Sequence, residues 1–507
     1  MKTTSTLRGA AAAAAALSLP ALSQAKNCTK GWVDSDKLQA LINLEDLLAG
    51  SQKLQDFADA NGGNRAFGGG GHNATVDWLY DTLDSLDYYD VVKQPFTELF
   101  ARAAGSLTVA GEEVDSTPAT YTSGGELSGP LIAVEGLGCT AEDFPAEVAG
   151  NIALLSRGEC AFGAKSTAAK AAGAAGLIIY NNVEGPLTAT LGDPFGDYAP
   201  TVTISQEAAQ PLLEQLAAGD VEAELSLDAV VESRVNYNVI AETKAGDHDN
   251  VLILGGHSDS VFAGPGINDD GSGSVGVLRV AEALAGFKIK NAVRFAFWGA
   301  EEFGKLGSYY YVKQLNTSDA ELAKMRAYLN FDMIASPNYM YGIYDGDGNA
   351  FGLTGPPGSD AIEKEFEEFY ERNGAAHVPT DFSGRSDYAA FIENGIPSGG
   401  LFTGAEGVKT EEEAALFGGE AGVAYDVNYH LAGDDINNLN HEAYLLNTKS
   451  IANSVAKYAM SFESLEPVDM RKRRWASDRA QLWERSGVHA AATHDHVGPC
   501  GAPGKSH

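Results

Sequence analysis

From residue 250 onward, apolar runs alternate with segments of helical period. "NVLILGGH" is an unbroken apolar run, "SVGVLRVAEALAGF" has helical spacing, and "NAVRFAFWGAEE", "GSYYYVKQL" and "AYLNFDMI" continue the order strand, helix, strand. A run such as Val251 to Leu254, with no polar alternation, suits a strand buried on both faces. The alternation as a whole predicts an α/β fold: a mainly parallel sheet sandwiched by helices. Upstream, "VDWLYDTLDSL" places Val76, Leu79, Tyr80, Leu83 and Leu86 on one helical face, and a strand-like "YDVVKQPFTEL" follows. Near residue 120 the texture changes to short strands, "GPLIAVEG", "NIALLSRG" and "LIIYNN", around one helix, "AKSTAAKAAGAAG". The pattern divides the chain into an α/β body at 26–117 and 233–465, a small β-rich domain inserted at 118–232, and a tail at 466–507.

The N-terminus has its own pattern. Lys2 and Arg8 precede the apolar stretch Ala10 to Leu19, and Ser23-Gln24-Ala25 forms a small-x-small cleavage site, so residues 1–25 read as an export signal. No later run is apolar enough to span a bilayer, which predicts an exported protein without a membrane anchor. Sequons at Asn27, Asn73 and Asn316 agree with a eukaryotic secretory route, to the outside or to a vacuole. In that oxidising setting the four cysteines are expected as disulfides, Cys139 with Cys160 and Cys28 with Cys500. Formal net charge is −34 over 507 residues, which excludes nucleic acid as a partner, since phosphate binding needs clustered cations. Two features of the tail, the basic run Arg471 to Arg474 and its histidines, lack partners at fixed spacing and read as surface.

Open α/β sheets bind ligands at the carboxyl ends of their strands. Those ends here deliver His257, then Asp269 and Asp270 through a glycine-rich loop, then Glu301 and Glu302, then Asp332. Much later "YDVNYHLAGDD" supplies Tyr429 and His430 beside Asp434. Each has an ordinary structural use: Asp-Asp-Gly makes turns, and a Glu pair at a helix start serves the helix dipole. Their recurrence at one sheet edge is what points to a site. Two imidazoles and three carboxylates suit two borderline divalent cations, most simply two Zn²⁺ per chain. The glycine-framed Asp269 is the natural bridge, Glu302 a ligand and Glu301 the general base, with Asp259 placed to accept the second N–H of His257.

"GGHSDSV…GPGINDDGSG", "WGAEEFGKLGS", "NFDMIASPN", "GRSDYAAFIENGIPSGGLFTGAEGVKT" and "YH" together resemble the M28 family of co-catalytic zinc aminopeptidases, over about residues 36–118 and 235–463. "SRGECAF" and "GAKSTAAKAAGAAGLIIYNN" in the insert resemble a protease-associated (PA) domain. The resemblance implies a zinc exopeptidase fold, with His257 and Asp332 on one zinc, Glu302 and His430 on the other, and Asp269 between them. It further implies that Tyr429 and Arg385 hold substrate or the developing oxyanion, and that Asp270 helps set an unusual peptide geometry after the bridge. Where some bacterial relatives carry cysteines around the last motif, Asn428 and Gly433 stand here.

The expected function is therefore a secreted, monomeric metallo-aminopeptidase acting on peptides with a free N-terminus, with a leucine-like first residue preferred by resemblance. The related alternatives are a carboxypeptidase or a glutaminyl cyclase on the same fold. A binding protein with a dead site is the alternative of a different class, and against it no ligand or base is missing.

Overall fold

The structure, a computed structural model, describes residues 30–469. The export signal, the sequon at Asn27, the Cys28–Cys500 pair and the basic run Arg471 to Arg474 lie outside the described residues.

Three parallel strands form the centre of the body: Asn291–Trp298, Asp247–His257 and Met325–Phe331 lie side by side, with Ser398–Phe402 parallel beyond them. Their side chains divide by parity, as a doubly covered strand requires. Leu252, Leu254, Val293, Phe295, Phe297, Leu329 and Phe331 face one layer of helices, Leu44–Asp59, Gly70–Asp84, Gly271–Leu284, Ser359–Arg372 and His441–Tyr458. Val251, Ile253, Ala292, Ala296, Trp298 and Tyr328 face the other layer, built from Leu306–Leu315, Asp319–Lys324 and Tyr388–Ile392. The short Gly342–Tyr344 pairs antiparallel with Ser398–Phe402, so the sheet is mixed at this end.

At the opposite end stand two long strands, Tyr89–Val109 and Glu222–Thr243, paired antiparallel throughout, from Tyr89 opposite Thr243 to Val109 opposite Ala223. The lower part of this ribbon joins the body, with Phe297 opposite Val239. Its upper part pairs with Gly125–Ala133 and so carries the strand ladder into the insert, whose parallel strands Ile152–Ser156, Gly176–Tyr180 and Thr201–Ile204 follow in order. The insert holds two helices where its pattern predicts one. Besides Phe162–Ala171 there is Gln206–Ala218, started by Ser205, whose side chain accepts from the Ala208 N–H. Pro211 inside that helix breaks the usual sequence signal for one. A disulfide joins Cys139 to Cys160 beside the first insert helix.

The Gly70–Asp84 helix buries Val76, Leu79 and Leu83 against the body, with Tyr80 and Leu86 partly buried beside them. It also buries His72, whose Nε2 lies 2.9 Å from Ser258 Oγ. Asn73 on this helix is exposed, and so is Asn316, which caps the helix Leu306–Leu315.

Two measurements probe this frame. A Cβ on Gly273 would lie 1.9 Å from the Phe331 carbonyl oxygen, so Gly273→Ala should lower unfolding stability by about 1–3 kcal/mol or more in urea titration. The second concerns His72. Burial, assisted by Arg65 and His257 and opposed by Asp259, drives its imidazole from 6.5 down to about 4. The folded chain thus keeps the ring neutral while the unfolded chain protonates it below about pH 6.5. Stability from this group is complete above pH 6.5 and is lost as pH falls toward 4, by about 3 kcal/mol. His72→Gln should flatten the stability curve between those limits, as read by denaturant midpoints across pH.

Candidate active site

The three central strands end on the same edge because they run parallel, and each end delivers a functional side chain to one cluster. Asp247–His257 ends on His257 itself. Asn291–Trp298 leads through Ala300 to Glu301 and Glu302, and Met325–Phe331 leads to Asp332. The backbone at these turns is held in the left-handed region at Ala300, Lys305, Met333 and His430, four of the seven non-glycine positive-φ residues among the described residues. Side chains in that region carry strain that surrounding structure must hold, and such strain clusters at functional sites.

Asp269 sits at the middle of the group. Its Oδ1 lies 3.0 Å from His257 Nε2 and its Oδ2 lies 3.2 Å from His430 Nε2. Asp332 Oδ1 is 3.5 Å from His257 Nε2, and Glu302 Oε2 is 3.0 Å from His430 Nε2. All but His430 are at most 8% exposed. His257, Asp269 and Glu302 each offer a donor atom to a common point, and so do His257, Asp270 and Asp332. Asp270 is otherwise engaged: its carboxylate accepts from the N–H groups of His257, Gly273 and Met333, at 3.0, 2.9 and 3.1 Å. It ties two strand ends to the start of a helix, and it follows a cis peptide bond from Asp269.

The donor chemistry fits divalent metal. Buried acceptor atoms Glu302 Oε1 and Asp332 Oδ1 have no hydrogen-bond partner among the described residues. Burial works against a charged His430, yet Glu302 and Asp269 raise its imidazole to about 11. His257 is likewise raised well above its ordinary value, against burial, by Asp332, Asp259 and Asp269. A cage that raises both rings this way stabilises positive charge at its centre.

Glu301 differs from its neighbour. It contacts neither histidine, and its backbone N–H donates to Asp259 Oδ1 at 3.0 Å. Burial pushes its carboxyl well above the usual range, with Asp387, Glu302 and Asp332 adding to the rise and His257 opposing it. Asp259 faces the Nδ1 atom of His257, which is 3.7 Å from its carboxylate and 3.3 Å from its backbone carbonyl oxygen. The same carboxylate accepts from the Glu301 N–H, because Asp259 and Glu301 lie on adjoining turns.

Arg385 and Tyr429 stand at the mouth. Arg385 donates to both Glu406 oxygens, at 2.7 and 3.3 Å, and to the Tyr429 hydroxyl at 3.1 Å. The Tyr429 ring stacks on His430 with centroids 3.8 Å apart. With Glu301, Glu302 and Asp332 they border a cavity of about 310 Å³ whose lining also includes apolar and aromatic Met333, Tyr344, Tyr388, Phe402 and Ala405 and polar Thr380, Asp381 and Ser383.

Several supporting residues lie inside the quoted motifs without their roles being readable there. Ser386 Oγ donates to Asp332 Oδ2 at 2.5 Å, and buried Asp387 beside it is pushed up to about 7 by burial. Asp434 accepts from the N–H groups of Asn268 and Asp269, at 2.8 and 3.0 Å, and so holds the central loop from the far side. A Cβ on Gly433 would come 2.3 Å from Asn428 Oδ1, so the two positions that replace cysteines are neighbours in space.

Comparison with known proteins agrees with this architecture. The model of peptidase family M28 matches residues 238–455, and the PA domain model matches residues 127–212. The chain is 53% identical over 480 residues to a probable leucine aminopeptidase 2 of Aspergillus fumigatus, covering 93% of this chain and 94% of that protein. It is 50% identical to leucine aminopeptidase 2 of Arthroderma otae, covering 90% and 92%. Among solved structures, the aminopeptidase of Aneurinibacillus sp. strain AM-1 superposes with a TM-score of 0.58 at 26% identity, covering 86% of this chain and 99% of that one. A zinc aminopeptidase of Bacillus subtilis gives 0.57 at 27% identity, covering 82% and 95%. With strand ends, donor cage and near full-length relatives in agreement, the chain belongs to peptidase family M28 and carries a PA domain in its insert.

Proposed function

We propose that this peptidase is a two-zinc aminopeptidase that releases apolar, leucine-like residues from the free N-termini of peptides. The observation that carries the reading is the position of Asp269, whose two carboxylate oxygens each approach a different histidine, at 3.0 and 3.2 Å. One carboxylate between two imidazoles, with Asp332 on one side and Glu302 on the other, is the donor arrangement two neighbouring cations need. His257 and Asp332 would hold one zinc, His430 and Glu302 the other, and Asp269 would bridge. Metal held there supplies Lewis acidity toward a water and the scissile carbonyl.

The rest is the work of the chain's own side chains. Glu301, buried and free of the histidines, accepts a proton from the attacking water and returns it to the leaving amine. Its raised pKa suits both halves of that exchange. The Tyr429 hydroxyl, positioned by Arg385, donates to the oxygen on which negative charge develops. The acid-rich inner wall attracts a free ammonium, and the wall of Met333, Tyr344 and Phe402 receives an apolar side chain. Arg385 is already paired with Glu406, which weighs against a carboxypeptidase, where a cation must be free to hold the substrate carboxylate. The fungal relatives described as leucine aminopeptidases support the same substrate class.

The reading extends to the chain's surroundings. On this reading residues 118–232 are the PA domain, a span that contains the matched residues 127–212 and is reached from the body through the ribbon Tyr89–Val109 and Glu222–Thr243. Export, with glycans on exposed Asn73 and Asn316, fits the Cys139–Cys160 disulfide, and no helix among the described residues is long and apolar enough to cross a membrane.

Two experiments test the function. Chelation should abolish release of leucine from a chromogenic leucyl amide, zinc should restore it, and the N-acetylated amide should resist throughout; cleavage of the blocked amide would refute the free-amine requirement. Glu301→Gln should retain two zinc ions by elemental analysis while losing roughly 10²–10⁴-fold in kcat. Turnover near that of the unaltered enzyme would remove Glu301 from the role of base.

A further inference from the structure

Outside the cavity, one cation is buried beneath the loop that joins the proposed ligands His257 and Asp269. Arg65 lies in "GGNRAFG", the turn between the helices Leu44–Asp59 and Gly70–Asp84, and is fully buried. Its guanidinium donates to three backbone carbonyls of the loop: Nη1 to Ser258 at 2.5 Å, Nε to Pro265 at 2.9 Å and Nη2 to Gly266 at 2.6 Å. Its own backbone completes the attachment, the N–H donating to Ser260 Oγ at 2.9 Å and the carbonyl accepting from the Ser260 N–H at 3.3 Å. Four carboxylates, Asp259, Asp434, Asp270 and Asp269, act on it electrostatically.

We propose that Arg65 is a positioning residue for metal binding, holding both ends of the 258–266 loop so that His257 and Asp269 meet, and countering the charge of the acids gathered there. The inference rests on the zinc-site reading above. Its physical basis has two parts. The loop turns sharply through Gly264, Pro265 and Gly266; the Gly266 carbonyl also accepts from the Gly271 N–H at 3.0 Å, but Arg65 is the side chain that spans the carbonyls of Ser258, Pro265 and Gly266 together. A planar guanidinium offers several N–H groups in fixed directions, which a lysine ammonium does not. The fixed positive charge meanwhile offsets carboxylate repulsion before a cation arrives, so less of the metal's binding energy goes into assembling the site.

The test is zinc affinity, measured on metal-stripped protein by competition with a chromogenic chelator and independent of turnover. Arg65→Lys keeps charge and length but loses the three-way span, and should weaken zinc binding about tenfold. Arg65→Met loses both and should weaken it roughly 100-fold, the upper end for residues supporting metal ligands. Leu79→Ala, in the body core and remote from the loop, serves as a control for general destabilisation and should leave zinc affinity unchanged. If the Met variant does not fold, the Lys variant decides. Unaltered zinc affinity in Arg65→Lys, or an equal loss in Leu79→Ala, overturns the proposal. Failure of the wild-type chain to take up zinc overturns the site reading itself, and this proposal with it.

Discussion

Like charges held close together in a poorly polarisable interior repel strongly, and this chain gathers Asp269, Asp270, Glu301, Glu302, Asp332 and Asp387 within one buried region. Every part of the site can be understood as an answer to that repulsion. The two imidazoles stand between carboxylates, at 3.0 to 3.5 Å from them. Backbone N–H groups take up Asp270 and Asp434. Arg65 sits beneath the loop, and Ser386 donates to Asp332. What these cannot neutralise is left as a cage favouring a cation. The same repulsion and burial raise Glu301, so one constraint accounts for both the metal preference and the base.

The frame makes this assembly rigid enough to persist. Parallel strands bring their carboxyl ends to one edge, and strained left-handed turns at Ala300, Met333 and His430 swing the functional groups inward. Next to those turns is an aromatic cluster, in which Phe303 contacts Phe67 and Phe262, and Phe100 contacts the same two rings. Phe100 belongs to the long ribbon that leads into the PA domain, while Phe262 and Phe303 belong to the loops of the site. The ribbon that leads into the insert is therefore joined to the loops of the site by packed side chains.

Much of the site was legible in the sequence, and for a reason that can be stated. His257, Glu301, Glu302 and Asp332 follow apolar runs directly, so recognising the strands and their parallel order places those residues at one edge. His430 and Tyr429 lie far from any of those strands; His430 was legible as a second imidazole for the set, and its pairing with Glu302 and the role of Tyr429 only through the resemblance to a family motif. Asp259 shows the limit of reasoning from spacing. Two residues from His257 its carboxylate does face Nδ1, at 3.7 Å, but spacing gave no sign that it also accepts from the Glu301 N–H. The helix Gln206–Ala218 was hidden by Pro211, which breaks the local signal without breaking the helix.

By itself the sequence determined the order of strands and helices in the α/β body, the family and the chemical types at the strand ends. All of these are written in short-range patterns, in periodicity, turn residues and motifs of a few positions. Tertiary structure alone decided which groups support them. Arg65 reaches carbonyls 193 to 201 residues away, Ser386 reaches Asp332 across 54, and Asp434 reaches Asn268 across 166. An isolated arginine, serine or aspartate has no local pattern that marks it, because its partner is chosen by how the sheet and helices pack. Packing is a long-range outcome, and these contacts exist only once it is complete.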